Sequence, residues 1–118
     1  DLNWMDKQSR STIEMQNPAS RPEIAGTCAN IADYDTVFVG FPIWWYVAPT
    51  IVNTFLESCD LTGRTVVPFA TSGGSGMGKT VELLRSSCAP DTRWNEGKRL
   101  SSHASAQEVS AWAKSLSL

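Results

Sequence analysis

Two short runs, TVFVGF at residues 36–41 and TVVPFA at residues 65–70, are almost wholly apolar and rich in β-branched side chains. Runs of this kind mark strands covered on both faces, as in a parallel sheet flanked by helices. Each is followed by a loop and then by helical periodicity. Ala48-Pro49 opens a helix in which Ile51, Val52, Phe55, Leu56 and Cys59 share a face before residues 60–63 turn the chain. A second helix, from Lys79 to Cys88, turns Val81, Leu84 and Cys88 inward. A strand, loop and helix that occur twice in succession predict an α/β domain with an open parallel sheet.

The remaining elements are weaker. Residues 1–21 keep no sustained period and are expected to be irregular, anchored by Trp4 and Met15. Pro22 at a first helical position, with Ile24, Cys28 and Ile31 on one face, predicts a helix ending near Asp33, against which Gly26 counts. Pro68 removes a ladder N–H from a strand placed inside the sheet, so a local bulge is expected there. A further strand is expected between Thr92 and Leu100. Ser105-x-x-Glu108 is a capping box for a last helix with Val109, Trp112 and Leu116 on one face.

With 118 residues, 42% of them hydrophobic, the chain fits one domain around one core, residues 1–118. Ten basic against twelve acidic residues give a formal charge of −2, and no basic cluster follows a nucleic-acid backbone or an anionic membrane, so neither partner is expected. The longest apolar run, residues 37–52, is broken by Gly40, Pro42 and Pro49 and falls short of the ~20 residues of a membrane helix. Cys28, Cys59 and Cys88 include no C-x-x-C pair and read as reduced core thiols of a cytoplasmic protein. Without an initiator Met or a basic-then-apolar leader, the chain reads as beginning inside a longer one.

The stretch from Gly73 to Thr80, GGSGMGKT, matches the phosphate-loop pattern G-x-x-x-x-G-K-[ST]. In that motif backbone N–H groups surround phosphates while the Lys and the hydroxyl reach the terminal phosphate and Mg²⁺. Such a site also needs a buried strand ending in an Asp for the metal, and this chain has none. A loop this rich in glycine satisfies the pattern once Lys-Thr follows, so P-loop nucleotide binding is the alternative rather than the leading reading.

The leading reading asks what two successive strand-to-helix loops hold together, because the C-terminal edge of a parallel sheet is where such sheets bind ligands. The first loop, FPIWWYVAP, offers aromatic faces. The second, TSGGSG, offers small residues whose backbone can approach closely and donate hydrogen bonds. Together they suit a flat ring system with a polar edge, of which a flavin is one. His103 sits alone in a polar turn and reads as a surface residue.

At these residues the sequence resembles a known family. A strand ending in GFPIWW, an APT helix start, and then TVVPFATSGGSG are similar to the flavin-embracing half of flavodoxins, in the branch that carries a Trp pair in its first loop. The resemblance runs from about Tyr34 to Leu116, and the opening DLNWMDKQSRSTIEM resembles what precedes that half. It implies a three-layer flavodoxin-like fold, FMN as cofactor, and electron transfer. It also implies that Pro42, Ile43, Trp44 and Trp45 lie along the isoalloxazine while Thr71, Ser72, Gly73, Gly74 and Ser75 meet its polar edge through backbone groups. No residue acts as acid, base or nucleophile in that scheme.

Flavodoxins begin with a strand, a Ser/Thr/Gly-rich phosphate turn, a helix and a second strand, and none of these is in the sequence. The difference is a βαβ unit of ~30 residues or more, so FMN binding is expected to be weak or absent. In the strand order 2-1-3-4-5 the first strand lies beside the third, so its lack leaves an open apolar edge between Thr36 and Gly40, a template for self-association. Two functions follow from the resemblance: a single-electron carrier between redox partner proteins, and an NAD(P)H-dependent reductase of quinone-like acceptors. The near-neutral charge leans away from strongly acidic carriers.

Overall fold

In the computed structural model, which describes residues 3–72 and 74–116, β1 (Thr36–Pro42) and β2 (Thr65–Thr71) pair in parallel. The register is unbroken, from Thr36 opposite Thr65 to Pro42 opposite Thr71. Beyond β2 lie β3 (Arg93–Trp94) and β4 (Lys98–Leu100), both parallel to it. Helices α2 (Thr50–Glu57) and α3 (Thr80–Arg85) cover one face of the sheet, and α4 (Ala106–Ser115) lies on the other. The result is the expected α/β three-layer architecture.

The core sits under α2 and α3, where Leu56 and Leu84 meet Val39, Phe41, Val66 and Ala70. A polar seam joins the two helices: the Asn53 side chain donates to Ser87 Oγ at 2.8 Å, and Ser87 Oγ donates to Glu57 at 3.0 Å. Glu57 also accepts from Arg21 Nε at 2.9 Å, and this bond to the guanidinium holds its carboxyl below the ordinary range. On the opposite face Trp112 of α4 stands edge-on to Phe38 and Phe69, with ring centroids 6.2 and 6.1 Å away. Ser105 caps α4 as the capping box predicts, accepting from the Glu108 N–H at 3.1 Å.

Pro68 does not bulge its own strand. Carbonyls of Arg64 and Val66 accept from Arg93 and Asn95, so even-numbered residues of this stretch of β2, Pro68 among them, face the third strand. There the chain takes one residue more than β2 between the pairs Val66–Trp94 and Phe69–Lys98. The bulge therefore lies in the partner, at residues 95–97, opposite the nitrogen that cannot donate. Gly97, at φ +80°, comes so near that a Cβ would stand 2.6 Å from the Pro68 carbonyl oxygen.

Other expectations are corrected. Residues 1–21 are not wholly irregular: Ser9 caps a short helix, α1 (Arg10–Met15), which buries Ser11 and Thr12. Its inward face is polar, so hydrophobic periodicity could not reveal it. The helix expected at 22–33 is only the 3₁₀ turn Ile31–Asp33, because Cys28 is exposed and Ile24 half-exposed, leaving no buried stripe to hold a longer one. Cys28 is accordingly not a core thiol; Cys59 and Cys88 are half-buried, and burial pushes the Cys88 thiol up to about 11. Helix α3 starts at Thr80 and stops at Arg85. β1 is not covered on both faces, since Phe38 is 46% exposed, and Ile51 of α2 also reaches solvent.

Gly40 sits under the Phe69 ring on the α4 face, where a Cβ would meet ring carbons at 2.4 Å. Gly40→Ala is expected to destabilise the fold by about 2 kcal/mol. Much of that loss should disappear in a Phe69→Leu background, as urea unfolding of the two single variants and the double variant would show.

Candidate functional site

Because β1 and β2 end at the same height, their following loops leave the sheet side by side at its C-terminal edge. The first forms a two-residue hairpin. Trp44 N–H donates to the Val47 carbonyl at 2.8 Å and Val47 N–H donates back at 3.2 Å. Trp45 and Tyr46 between them have φ of 48° and 74°, the mark of a type I′ turn. That turn favours Asn and Gly, so two bulky aromatics there hold strain at the lip of the site.

The second loop is fastened from β4. Arg99 donates to the Ser72 carbonyl at 3.0 Å, Ser72 N–H reaches the Leu100 carbonyl, and the Ser72 hydroxyl accepts from Gly74 N–H at 3.2 Å. The two loops touch. Gly78 approaches the hairpin so closely that a Cβ would lie 2.9 Å from the Tyr46 carbonyl oxygen, and its φ of +53° favours glycine independently.

Between the loops lies a cavity of about 430 Å³. Ile43, Trp44 and Trp45 line it from one side, Thr71, Ser72, Gly74 and Ser75 from the other. These are seven of the nine residues named from sequence. Pro42 ends β1 outside the lining, and Gly73 lies outside the described residues. Three lining residues escaped the sequence reading: Trp4, Ser11 and Tyr46. Tyr46 lies inside the aromatic loop, while the sequence marks Trp4 only as an anchor and gives Ser11 no signal. Trp4 and Trp45 pack edge to face, 6.1 Å apart at an interplanar angle of 81°.

Among the described residues, no carboxylate, ammonium or imidazole lines the cavity. The cavity therefore offers aromatic faces and short polar groups, which suit a planar heterocycle. A larger hollow of about 550 Å³ runs along the outer edge of β1 past Val37, Phe38, Ile51 and Phe55, away from both loops. It belongs to the open flank of the sheet. Among the described residues no His/Cys/Asp/Glu cluster could hold a metal ion, and no helix is long and apolar enough to cross a membrane.

The phosphate-loop pattern does not build a phosphate site. Thr80 is fully buried and its hydroxyl has no partner among the described residues, so it faces the interior rather than the loop where a phosphate or Mg²⁺ would sit. Lys79 is exposed at the start of a helix of only six residues.

A parallel three-layer fold with an aromatic loop and a glycine loop meeting at one edge defines a class, and comparison names it. The flavodoxin family matches residues 1–116, and the chain belongs to that family. A crystal structure of a Bacteroides eggerthii protein described as a flavoprotein superposes with a TM-score of 0.87 at 45% identity, covering 99% of this chain and 72% of that one. One from Bacteroides uniformis, described likewise, gives the same TM-score and identity over 96% of this chain and 71% of that one. No curated protein matches.

The strain in the hairpin has a measurable consequence. Tyr46 is 71% exposed, so replacing it removes little packing while relieving a positive φ. Tyr46→Gly is expected to raise stability by about 1 kcal/mol, read as a higher urea midpoint at unchanged m-value.

Proposed function

We propose that this chain is the ring-binding part of a flavodoxin-like redox protein that holds FMN and passes electrons. The observation that carries the reading is the contact between the two loops, with an aromatic wall facing a hydroxyl and backbone wall across about 430 Å³. The two structures described as flavoproteins support a flavin as the ligand. Ile43, Trp44 and Trp45 would bear on the isoalloxazine, and Thr71, Ser72, Gly74 and Ser75 on its polar edge. When bound, the flavin supplies the electron chemistry, and the chain's own residues position it, keep water from its face and set the polarity at its edge. In this reading the chain passes single electrons to a redox partner protein. An NAD(P)H-dependent reduction of quinone-like acceptors fits the same cavity. We place the protein in the cytoplasm, in keeping with three free cysteines.

Titration with FMN should quench flavin fluorescence and Trp fluorescence together, with weak affinity. Titration with ATP and Mg²⁺ should leave Trp fluorescence unchanged. ATP binding without FMN binding would overturn the reading in favour of the nucleotide alternative.

Self-association is a second proposal. Asp35 and odd-numbered residues of β1 serve the β2 ladder, which leaves the N–H and C=O groups of Thr36, Phe38 and Gly40 on an edge with no partner strand among the described residues. Two copies pairing along this edge would satisfy both. Sedimentation velocity is expected to show a concentration-dependent dimer that Phe38→Lys abolishes; a monomer across the micromolar range would exclude it.

A further inference from the structure

The amino-terminal segment was the part of the sequence with the least signal, yet it reaches the cavity. Its fixing is polar. Ser9, fully buried, caps α1 through the Thr12 N–H at 3.3 Å and donates to the Thr12 hydroxyl at 3.1 Å. The Thr12 hydroxyl in turn donates to the Trp4 carbonyl at 3.3 Å. Ser11, 2% exposed, shares a hydrogen bond with Ser9 at 3.2 Å and lines the cavity. This cluster of buried hydroxyls holds the backbone of Trp4 while its indole stays 63% exposed, an apolar plane held at the cavity mouth with little of its area covered.

The plane of that indole is set almost at right angles to Trp45, at 81°. Two perpendicular aromatic walls make a corner. A flat ring can stack on only one of them, and it must then present its edge to the other, an arrangement that aromatic quadrupoles favour. A ring seated in this corner is fixed in rotation as well as in depth, which a single stacking surface cannot achieve.

We propose that Trp4 is a flavin-positioning residue and, with Ser11 beside it, forms the third wall of the ring site; this rests on the flavin reading above. Trp4 acts on the ring itself and not on the ribityl or phosphate portion. Every ligand that shares the isoalloxazine therefore feels it equally, whereas loss of a merely structural side chain would appear in stability and not in the ring's own spectrum. Ser11 retains hydrogen-bonding capacity beyond its bond to Ser9, since a hydroxyl has one donor and two acceptor positions.

The test uses lumiflavin, riboflavin and FMN as probes, measuring affinity by fluorescence quenching and the ring environment by visible circular dichroism, on the 118-residue chain and its variants. Trp4→Ala is expected to weaken all three flavins by about tenfold and by the same factor, with the induced dichroism reduced. Trp4→Phe should restore most of the loss, and Trp4→Leu, similar in hydrophobicity but without a ring, should not. Thermal midpoints of these variants are expected to stay close to that of the parent. If the parent chain binds the flavins and Trp4→Ala stays within twofold of it for all three, or loses affinity for FMN alone, the assignment of Trp4 is wrong while the flavin reading stands. If the parent chain binds none of the three, the flavin reading itself fails and takes this inference with it.

Discussion

The unbroken parallel pairing of β1 with β2 is the constraint on which the rest of the molecule depends. A parallel ladder fixes direction as well as register, so two strands of equal length that begin together also end together, and the segments leaving them emerge at one edge. Everything at the site follows from that coincidence. The aromatic hairpin and the glycine loop face each other because Pro42 is opposite Thr71, not because either loop has an affinity for the other. A slip of one residue would turn Val39 and Phe41 out of the core and Phe38 into it, so the same apolar pattern that forms the sheet also holds the loops in place.

The ladder tolerates a proline because its irregularity has been moved to the neighbour. Pro68 is fully buried in the middle of the sheet, where a missing N–H would ordinarily leave a carbonyl on the next strand without a donor. The extra residue at 95–97 carries the third strand past that point, and Gly97 supplies the positive φ the detour needs. The detour has a second effect: it resumes in β4, whose Arg99 and Leu100 anchor Ser72. The accommodation of Pro68 and the fastening of the glycine loop are thus carried by the same strand.

How much of this was legible in the sequence depended on what each element buries. β1 and β2 were readable because they are almost wholly apolar, β-branched runs, and α2 because Val52, Phe55, Leu56 and Cys59 recur at helical spacing, although Thr50 and Asn53 are buried beside them. α4 was readable from Ser105 and Glu108, a signal of chemistry at fixed spacing that needs no tertiary context. α1 was not readable, because it turns Ser11 and Thr12 inward and its stability comes from hydroxyl pairs that leave no periodic trace. The helix anticipated after Pro22 failed for the opposite reason: a good start and a short apolar stripe mean little where the structure offers no surface to cover the stripe. At the site, residue type was enough to find both loops, but Trp4 is brought there from outside them by a fold contact that no local pattern encodes.

Thr80 shows why a motif is a statement about geometry and not about letters. In a phosphate loop the final hydroxyl must face the same space as the backbone N–H groups before it, since both bind one polyanion and its metal. Here Gly78 serves close approach to the Tyr46 carbonyl, and the chain enters α3 with Thr80 already turned into the core, 0% exposed. The hydroxyl has no partner among the described residues, and its burial is unfavourable by itself. Thr80 is the first residue of α3, and Leu84, one turn later, joins the core. What the pattern marks in this chain is a tight passage from strand to helix, the feature that ring-binding and phosphate-binding loops have in common.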